Sequence, residues 1–245
     1  MKPSLLVWSS VLCAGCVWAQ TTAAPVSKPP VPISQTQLED WPHLARYRAD
    51  NEALPPVAGG EKRVVFLGDS ITDGWGRSPT TVFFPGKPYV NRGISGQTTP
   101  QMLVRFQQDV VHLHPAAVVI LAGTNDIAGN TGPATEQMIE DNFTSMAEIA
   151  RQNGIKVVLA SITPAYAYPW RPEVKPVERI RALNQWLQGF CSSNGFVYLD
   201  YYSSMADAKG AMLPGLSLDG VHPTPKGYAV MAPLAESAIA QALGQ

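Results

Sequence analysis

Ser70 and His222 are a chemically complementary pair: a hydroxyl too weakly acidic to attack unaided, and an imidazole able to take its proton. Asp219 stands three residues before His222, close enough to hold the ring in one tautomer and to stabilise it once protonated. A serine, a histidine and a carboxylate in these roles attack acyl carbonyls. The oxyanion formed in that attack needs fixed hydrogen-bond donors. Three are at hand: the backbone amide of Ser70, the amide of Gly93 in Asn91-Arg92-Gly93, and the side-chain amide of Asn125 in Gly123-Thr124-Asn125-Asp126.

These residues lie far apart in sequence, so the fold must bring them together. The apolar run 64–67 ends abruptly in Gly68-Asp69-Ser70, which sets the hydroxyl at the carboxyl end of a buried strand. Further apolar runs at 117–122, 156–162 and 196–200 are expected as strands, with a short one near 88–91. Amphipathic stretches at 100–112, 134–153, 176–193 and 225–242 are expected as helices, with Gly154 as a C-cap and Pro225 in a first turn. Alternating strand and helix predicts an α/β domain whose parallel sheet is covered on both faces. Every strand then ends on the same side, which allows residue 222 to reach residue 70.

The 245 residues are 45% hydrophobic, enough for one substantial core, and the net charge of −1 argues against nucleic acid or an anionic membrane as the main partner. Residues 1–19 read as a signal peptide: Lys2, an apolar stretch from Leu5 to Val17, then Val17-Trp18-Ala19. Cleavage after Ala19 and lipidation at Cys16 are both open, and either implies export to the periplasm or the medium. No later stretch approaches the roughly 20 apolar residues of a membrane span. Cys13 and Cys16 fall inside this leader and are not a redox pair; Cys191 is expected as a small buried residue. Residues 20–60 are expected as a Pro-rich spacer followed by a helical lid over 35–50, with Leu38, Trp41, Leu44 and Tyr47 on one face. The catalytic domain is expected over 61–245.

Other candidates are set aside. Asp69 reads as support for the turn and Asp126 as a cap. Ser217 half-matches the G-x-S-x-G elbow but lacks the last glycine and a preceding buried strand. His112 and His114 lack a third ligand, and neither a metal nor a phosphate loop is expected. Substrate-binding candidates are Trp75 and the Pro-stiffened loop 164–176, with Tyr166, Tyr168, Trp170 and Arg171; the loop rings could equally pack on the domain itself.

The four segments together closely resemble the SGNH (GDSL-type) hydrolases: Gly68-Asp69-Ser70-Ile71-Thr72-Asp73-Gly74-Trp75, Asn91-Arg92-Gly93, Gly123-Thr124-Asn125-Asp126 and Asp219-Gly220-Val221-His222-Pro223, in the expected order. The resemblance covers roughly residues 61–241, and the second segment leans toward the branch of platelet-activating-factor acetylhydrolase subunits. It implies a flavodoxin-like three-layer α/β/α fold with a central parallel five-stranded sheet. It also implies Ser70 as nucleophile, His222 as base, Asp219 as its partner, and Gly93 and Asn125 as oxyanion donors with Ser70, without a cofactor. Such families include esterases, lysophospholipases, thioesterases and carbohydrate deacetylases. The expectation is an exported serine esterase acting on short acyl or acetyl esters, carbohydrate-borne or small. A lipid acylhydrolase is the alternative, and a non-catalytic binding module on the same fold is a more distant one.

Overall fold

The computed structural model describes residues 39–78 and 80–245. The expected leader, its two cysteines and the spacer up to residue 38 lie outside these residues.

Five short runs form strands: β1 (Val64–Gly68), β2 (Tyr89–Gly93), β3 (Ala117–Leu121), β4 (Lys156–Ala160) and β5 (Val197–Leu199). They pair in parallel in the order β2-β1-β3-β4-β5, the flavodoxin-like order. The order reverses at β1, so a crevice opens beyond the carboxyl ends of β1 and β3. Ser70 follows β1 and Asn125 follows β3. The expected three-layer α/β/α architecture is the one observed.

The central strands are apolar throughout because both faces are covered. Val65 and Leu67 of β1 turn to one face, with Val118 and Ile120 of β3. There they meet α3 (Thr99–Asp109), α5 (Glu136–Gln152) and α6 (Val177–Asn194) through Met102, Phe106, Ile139, Phe143, Leu183 and Leu187. Val64, Phe66, Val119 and Leu121 turn to the other face and meet α8 (Pro225–Leu243) through Tyr228, Met231 and Ala235. The spacing of those α8 residues is that of one helical face. Cys191 is buried in the first cluster, as expected.

Several boundaries differ from the sequence reading. The 156–162 run stops being a strand at Ala160 because Asn184 of α6 takes over: its Oδ1 accepts from Ile162 N at 2.7 Å and its Nδ2 donates to Ile162 O at 3.0 Å. Three helices of four or five residues, α2 (Ser70–Asp73), α4 (Thr124–Ala128) and α7 (Tyr202–Met205), are too short to show a period in sequence. The lid helix expected over 35–50 is, in its described part, a set of turns followed by α1 (Arg48–Ala53). Asp40 accepts from the amides of Leu44 and Ala45, while Gln101, Gln97 and Gln108 donate to the carbonyls of Trp41, Pro42 and Leu44. Side chains of the α3 region thus satisfy carbonyls that a helix would have satisfied itself. Among the described residues no helix is long and apolar enough to cross a membrane.

Candidate active site

Ser70 opens α2, and Asp69 before it is the N-cap, its carboxylate accepting from Ile71 N at 2.9 Å. The turn is held from beneath by Arg105, a fully buried side chain on α3. Its guanidinium donates to Gly68 O at 3.1 Å, Arg92 O at 2.8 Å and Gln97 Oε1 at 2.5 Å, and pairs with Asp109 at 3.2 Å. One cation therefore fastens the ends of β1 and β2 together. From the other face Tyr228 of α8 donates to Ile71 O at 2.8 Å, which ties the serine turn to the helix that follows His222.

The loop 215–223 delivers the histidine. Thr224 caps α8 by accepting from Gly227 N, and its hydroxyl and amide bond back to Gly215 O and Leu216 O, each at 2.8 Å. At the tip Asp219 divides its two oxygens. Oδ1 accepts from Val221 N at 2.9 Å, His222 N at 2.8 Å and Ser217 Oγ at 3.0 Å, while Oδ2 faces His222 Nδ1 at 2.6 Å. Burial pushes the Asp219 carboxyl up. The bonds from the His222 ring and the amides of His222 and Val221 outweigh that and hold it well below the usual carboxylate range. An ionised carboxylate only accepts, so Nδ1 carries the proton and Nε2 presents its lone pair. Nε2 lies 2.9 Å from Ser70 Oγ, across 152 positions of chain. The arrangement can move the serine proton to the imidazole without any side-chain rearrangement.

Ser217, set aside in the sequence reading, is part of this loop's machinery. It donates to Asp219 and accepts from Gly220 N at 2.9 Å. Its signal in sequence was local: a serine two residues before Asp219, which Gly220 follows.

The expectation for Gly93 is corrected. Its amide donates to Asn91 Oδ1 at 2.9 Å and is not available to a substrate. Asn91 in turn donates to Thr72 O and, at 3.0 Å, to Trp75 O. A Cβ at Gly93 would overlap the backbone nitrogen of Asp73, so packing between β2 and α2 requires this glycine. The next turn, Ile94 to Gln97, rises over the strand ends with Gly96 at φ +80°. Among the described residues neither the Gly96 amide nor the Ser70 amide meets a protein acceptor. Asn125 reaches the same turn: its Nδ2 donates to Gln97 O at 3.0 Å, which leaves one hydrogen of that amide unused. Asp126 is structural, as expected, accepting from Thr99 N and Thr99 Oγ1.

Of the five substrate-binding candidates, one stands at the triad. Trp170 is 40% exposed, and its ring centroid lies 6.1 Å from that of His222. Tyr168 is buried beneath it, stacked at 5.1 Å and bonded through its hydroxyl to Thr124 at 2.9 Å. Arg171 donates to Ala128 O at 3.0 Å and Gly129 O at 2.9 Å, clamping the loop to the end of α4. Trp75 is buried between Phe84 and Tyr228, with centroids at 4.9 and 5.0 Å. Tyr166 lines a separate cleft with Lys175, Glu178 and Arg181. Trp75, Tyr168 and Arg171 are therefore corrected to structural roles, because the Trp75 ring is enclosed by other rings and the Tyr168 hydroxyl and Arg171 guanidinium are bonded to protein.

Burial pushes the Asp69 carboxyl up from 3.8 to about 7. The Ile71 amide and His222 oppose that shift and Asp126 adds to it. A folded-state value above the unfolded one means the native state holds the extra proton between about pH 4 and 7, so stability declines as pH rises through that window. Asp69→Asn keeps the cap acceptor and removes the titration. The parent's melting temperature is expected to carry a contribution from Asp69 that declines between about pH 4 and 7, and Asp69→Asn to lack it; thermal melts of both proteins across that range check this.

Residues 66–230 match the GDSL-like Lipase/Acylhydrolase family. The crystal structure of a GDSL-like lipase from Bacteroides thetaiotaomicron is 44% identical, with a TM-score of 0.80, over 83% of this chain and 100% of that one. Among curated relatives, the uncharacterized lipoprotein YqeF of Bacillus subtilis is 32% identical over 121 residues, 43% of this chain and 50% of its own length. Esterase TesA of Pseudomonas aeruginosa is 40% identical over 73 residues, 30% of this chain and 35% of its own length. The chain thus spans half or less of the curated relatives it matches. Its matched segment includes the serine turn, the Asn125 loop and the histidine loop assembled here, and the chain belongs to the GDSL-like Lipase/Acylhydrolase family.

Proposed function

We propose that this chain is an exported serine esterase that hydrolyses short-chain, above all acetyl, carboxylic esters carried on sugars or small alcohols. The observation that carries the reading is the unbroken relay Ser70–His222–Asp219, together with the amides of Ser70 and Gly96 and one hydrogen of Asn125 Nδ2 that meet no protein acceptor among the described residues. Ser70 Oγ attacks the carbonyl carbon while His222 Nε2 takes its proton. The oxyanion is held by the amides of Ser70 and Gly96 and by Asn125 Nδ2, with Gly96 replacing Gly93 in the role expected from sequence. The alcohol leaves with the proton from His222, and water activated by the same ring then releases the acid.

Trp170 supports a sugar on the alcohol side. Its face is half open, it is stiffened by Tyr168 beneath, and it stands beside the base. The leader pattern of residues 1–19 and the similarity to a lipoprotein support export. Leu218, 94% exposed one residue before Asp219, is the feature that favours a lipid acylhydrolase instead.

A fluorophosphonate probe is expected to label Ser70, and p-nitrophenyl esters are expected to be cleaved best as acetate or butyrate. Preference for acyl chains of about eight carbons or more, which would need extended apolar burial, transfers the assignment to the lipid reading. Trp170→Ala is expected to raise KM for an acetylated disaccharide about 3- to 10-fold, the scale of one lost aromatic contact, while KM for p-nitrophenyl acetate stays close to the parent's. Steady-state kinetics on the two substrates check it.

A further inference from the structure

We propose that Asn130 is a positioning residue for the oxyanion donor of Asn125, and that it links this donor to the aromatic wall of the site. The inference rests on the esterase reading above. Trp170 Nε1 donates to Asn130 Oδ1 at 3.1 Å. Asn130 Nδ2 donates to Asn125 Oδ1 at 2.8 Å and to Gly96 O at 3.3 Å. Asn125 Nδ2 donates to Gln97 O at 3.0 Å. The chain therefore runs Trp170–Asn130–Asn125–Gln97 and also touches the carbonyl of Gly96, whose amide is a second donor.

The direction of this chain is set from both ends. A carboxamide can be turned over with little change of shape, but an indole N–H can only donate and a backbone carbonyl can only accept. Trp170 therefore demands the oxygen of Asn130, and Gln97 demands the nitrogen of Asn125. The groups left to meet in the middle are Asn130 Nδ2 and Asn125 Oδ1, which are complementary. Turning the Asn125 amide over would break both of its bonds and would face an oxyanion with an oxygen.

Asn130 is exposed, on the loop after α4, and its side chain fills no part of the core. Its substitution therefore perturbs the site with little effect on folding. An alcohol group resting on Trp170 would cover the chain from water, and shielded hydrogen bonds are stronger than exposed ones. Recognition on the alcohol side is thereby coupled to the rate of the chemical step.

Asn130→Asp keeps the shape and removes the donor. One carboxylate oxygen still accepts from Trp170, and the other faces Asn125 Oδ1, so the Asn125 amide either meets that oxygen unpaired or turns over and loses its bond to Gln97 O; both unseat the donor. With p-nitrophenyl acetate, kcat is expected to fall ~30- to 300-fold, approaching the ~10²–10³ cost of a lost oxyanion donor. KM and melting temperature should stay close to the parent's. Asn130→Ala, which only loosens the amide, is expected to lose less.

Asn125→Ala with Asn130→Asp is the decisive combination. If Asn130 acts through Asn125, the double variant is no slower than Asn125→Ala within about threefold. Two results overturn the proposal: an Asn130→Asp kcat within about threefold of parent, or losses that multiply in the double variant, the signature of an independent charge or structural effect. A parent that neither hydrolyses esters nor takes the fluorophosphonate label fails the esterase reading and this inference with it. An active, labelled parent with an indifferent Asn130→Asp fails this inference alone.

Discussion

Replacement of Ser70 by alanine is expected to abolish ester hydrolysis while leaving the fold intact. Among the described residues the hydroxyl's one side-chain partner is His222 Nε2 at 2.9 Å, and the residue is half-buried at a strand end, outside both hydrophobic clusters. The supports of its turn are backbone carbonyls and the Asp69 cap, none of which involves Oγ. Loss of the nucleophile from a hydrolase of this type lowers kcat by a factor on the order of 10⁵–10⁶. Stability should change by less than about 0.5 kcal/mol, as at other sites without packing or cap roles. Hydrolysis of p-nitrophenyl acetate measured alongside a thermal melt tests both halves. A Ser70→Ala protein that retains more than about a hundredth of parental turnover shows that another group performs the attack.

Asp219→Asn is expected to cost nearly as much, for a reason visible in how the carboxylate divides its oxygens. Oδ1 sits among three donors, the amides of Val221 and His222 and the hydroxyl of Ser217. An asparagine must place its oxygen there, which turns its NH₂ toward His222 Nδ1. That nitrogen is then forced to accept, the ring proton moves to Nε2, and the base faces Ser70 with a hydrogen instead of a lone pair. A wrong tautomer of this kind lowers kcat by ~10⁴ in a serine triad. The loop keeps its three bonds to Oδ1, so the melting temperature should hold. Turnover and pH profile measured on Asp219→Asn decide the matter, and activity within about tenfold of parent shows that something other than Asp219 sets the tautomer.

The strands and the three residues Ser70, Asp219 and His222 were legible in sequence because they rest on short-range signals. An apolar run bounded by Gly68-Asp69-Ser70 can be little other than a buried strand ending in a sharp turn. The Asp219–His222 offset is closed by one loop whose bonds are all local. Asn125, just past β3, follows the same logic.

The misassigned residues share a different property. Gly93 and Gly96 are both glycines of one segment past a strand. Which amide is free depends on the direction its N–H takes at the sheet edge and on whether Asn91 stands there to receive it. Trp75 and Trp170 are the same residue type in two loops. The first is enclosed by Phe84 of the loop that follows it and by Tyr228 from the far end of the chain, and the second is stacked on Tyr168. Asn130 carries no motif and the half-match at Ser217 pointed to the wrong role, since what each does consists of a bond to another site side chain.

Sequence by itself determined the alternation of the five strands with the long helices, which serine, histidine and aspartate come together, and the side of the sheet on which they meet. Those features follow from patterns of polarity and from bonds within a few residues. Tertiary structure alone decided which amides remain free, which aromatic ring meets solvent, and which way the Asn125 amide points. Each of those depends on how side chains and backbone compete for one hydrogen bond or one face in three dimensions. Even the Asn91–Gly93 bond, between near neighbours, forms where Thr72 and Trp75 hold Asn91 in place, and Asn125 is turned by Gln97 from another loop.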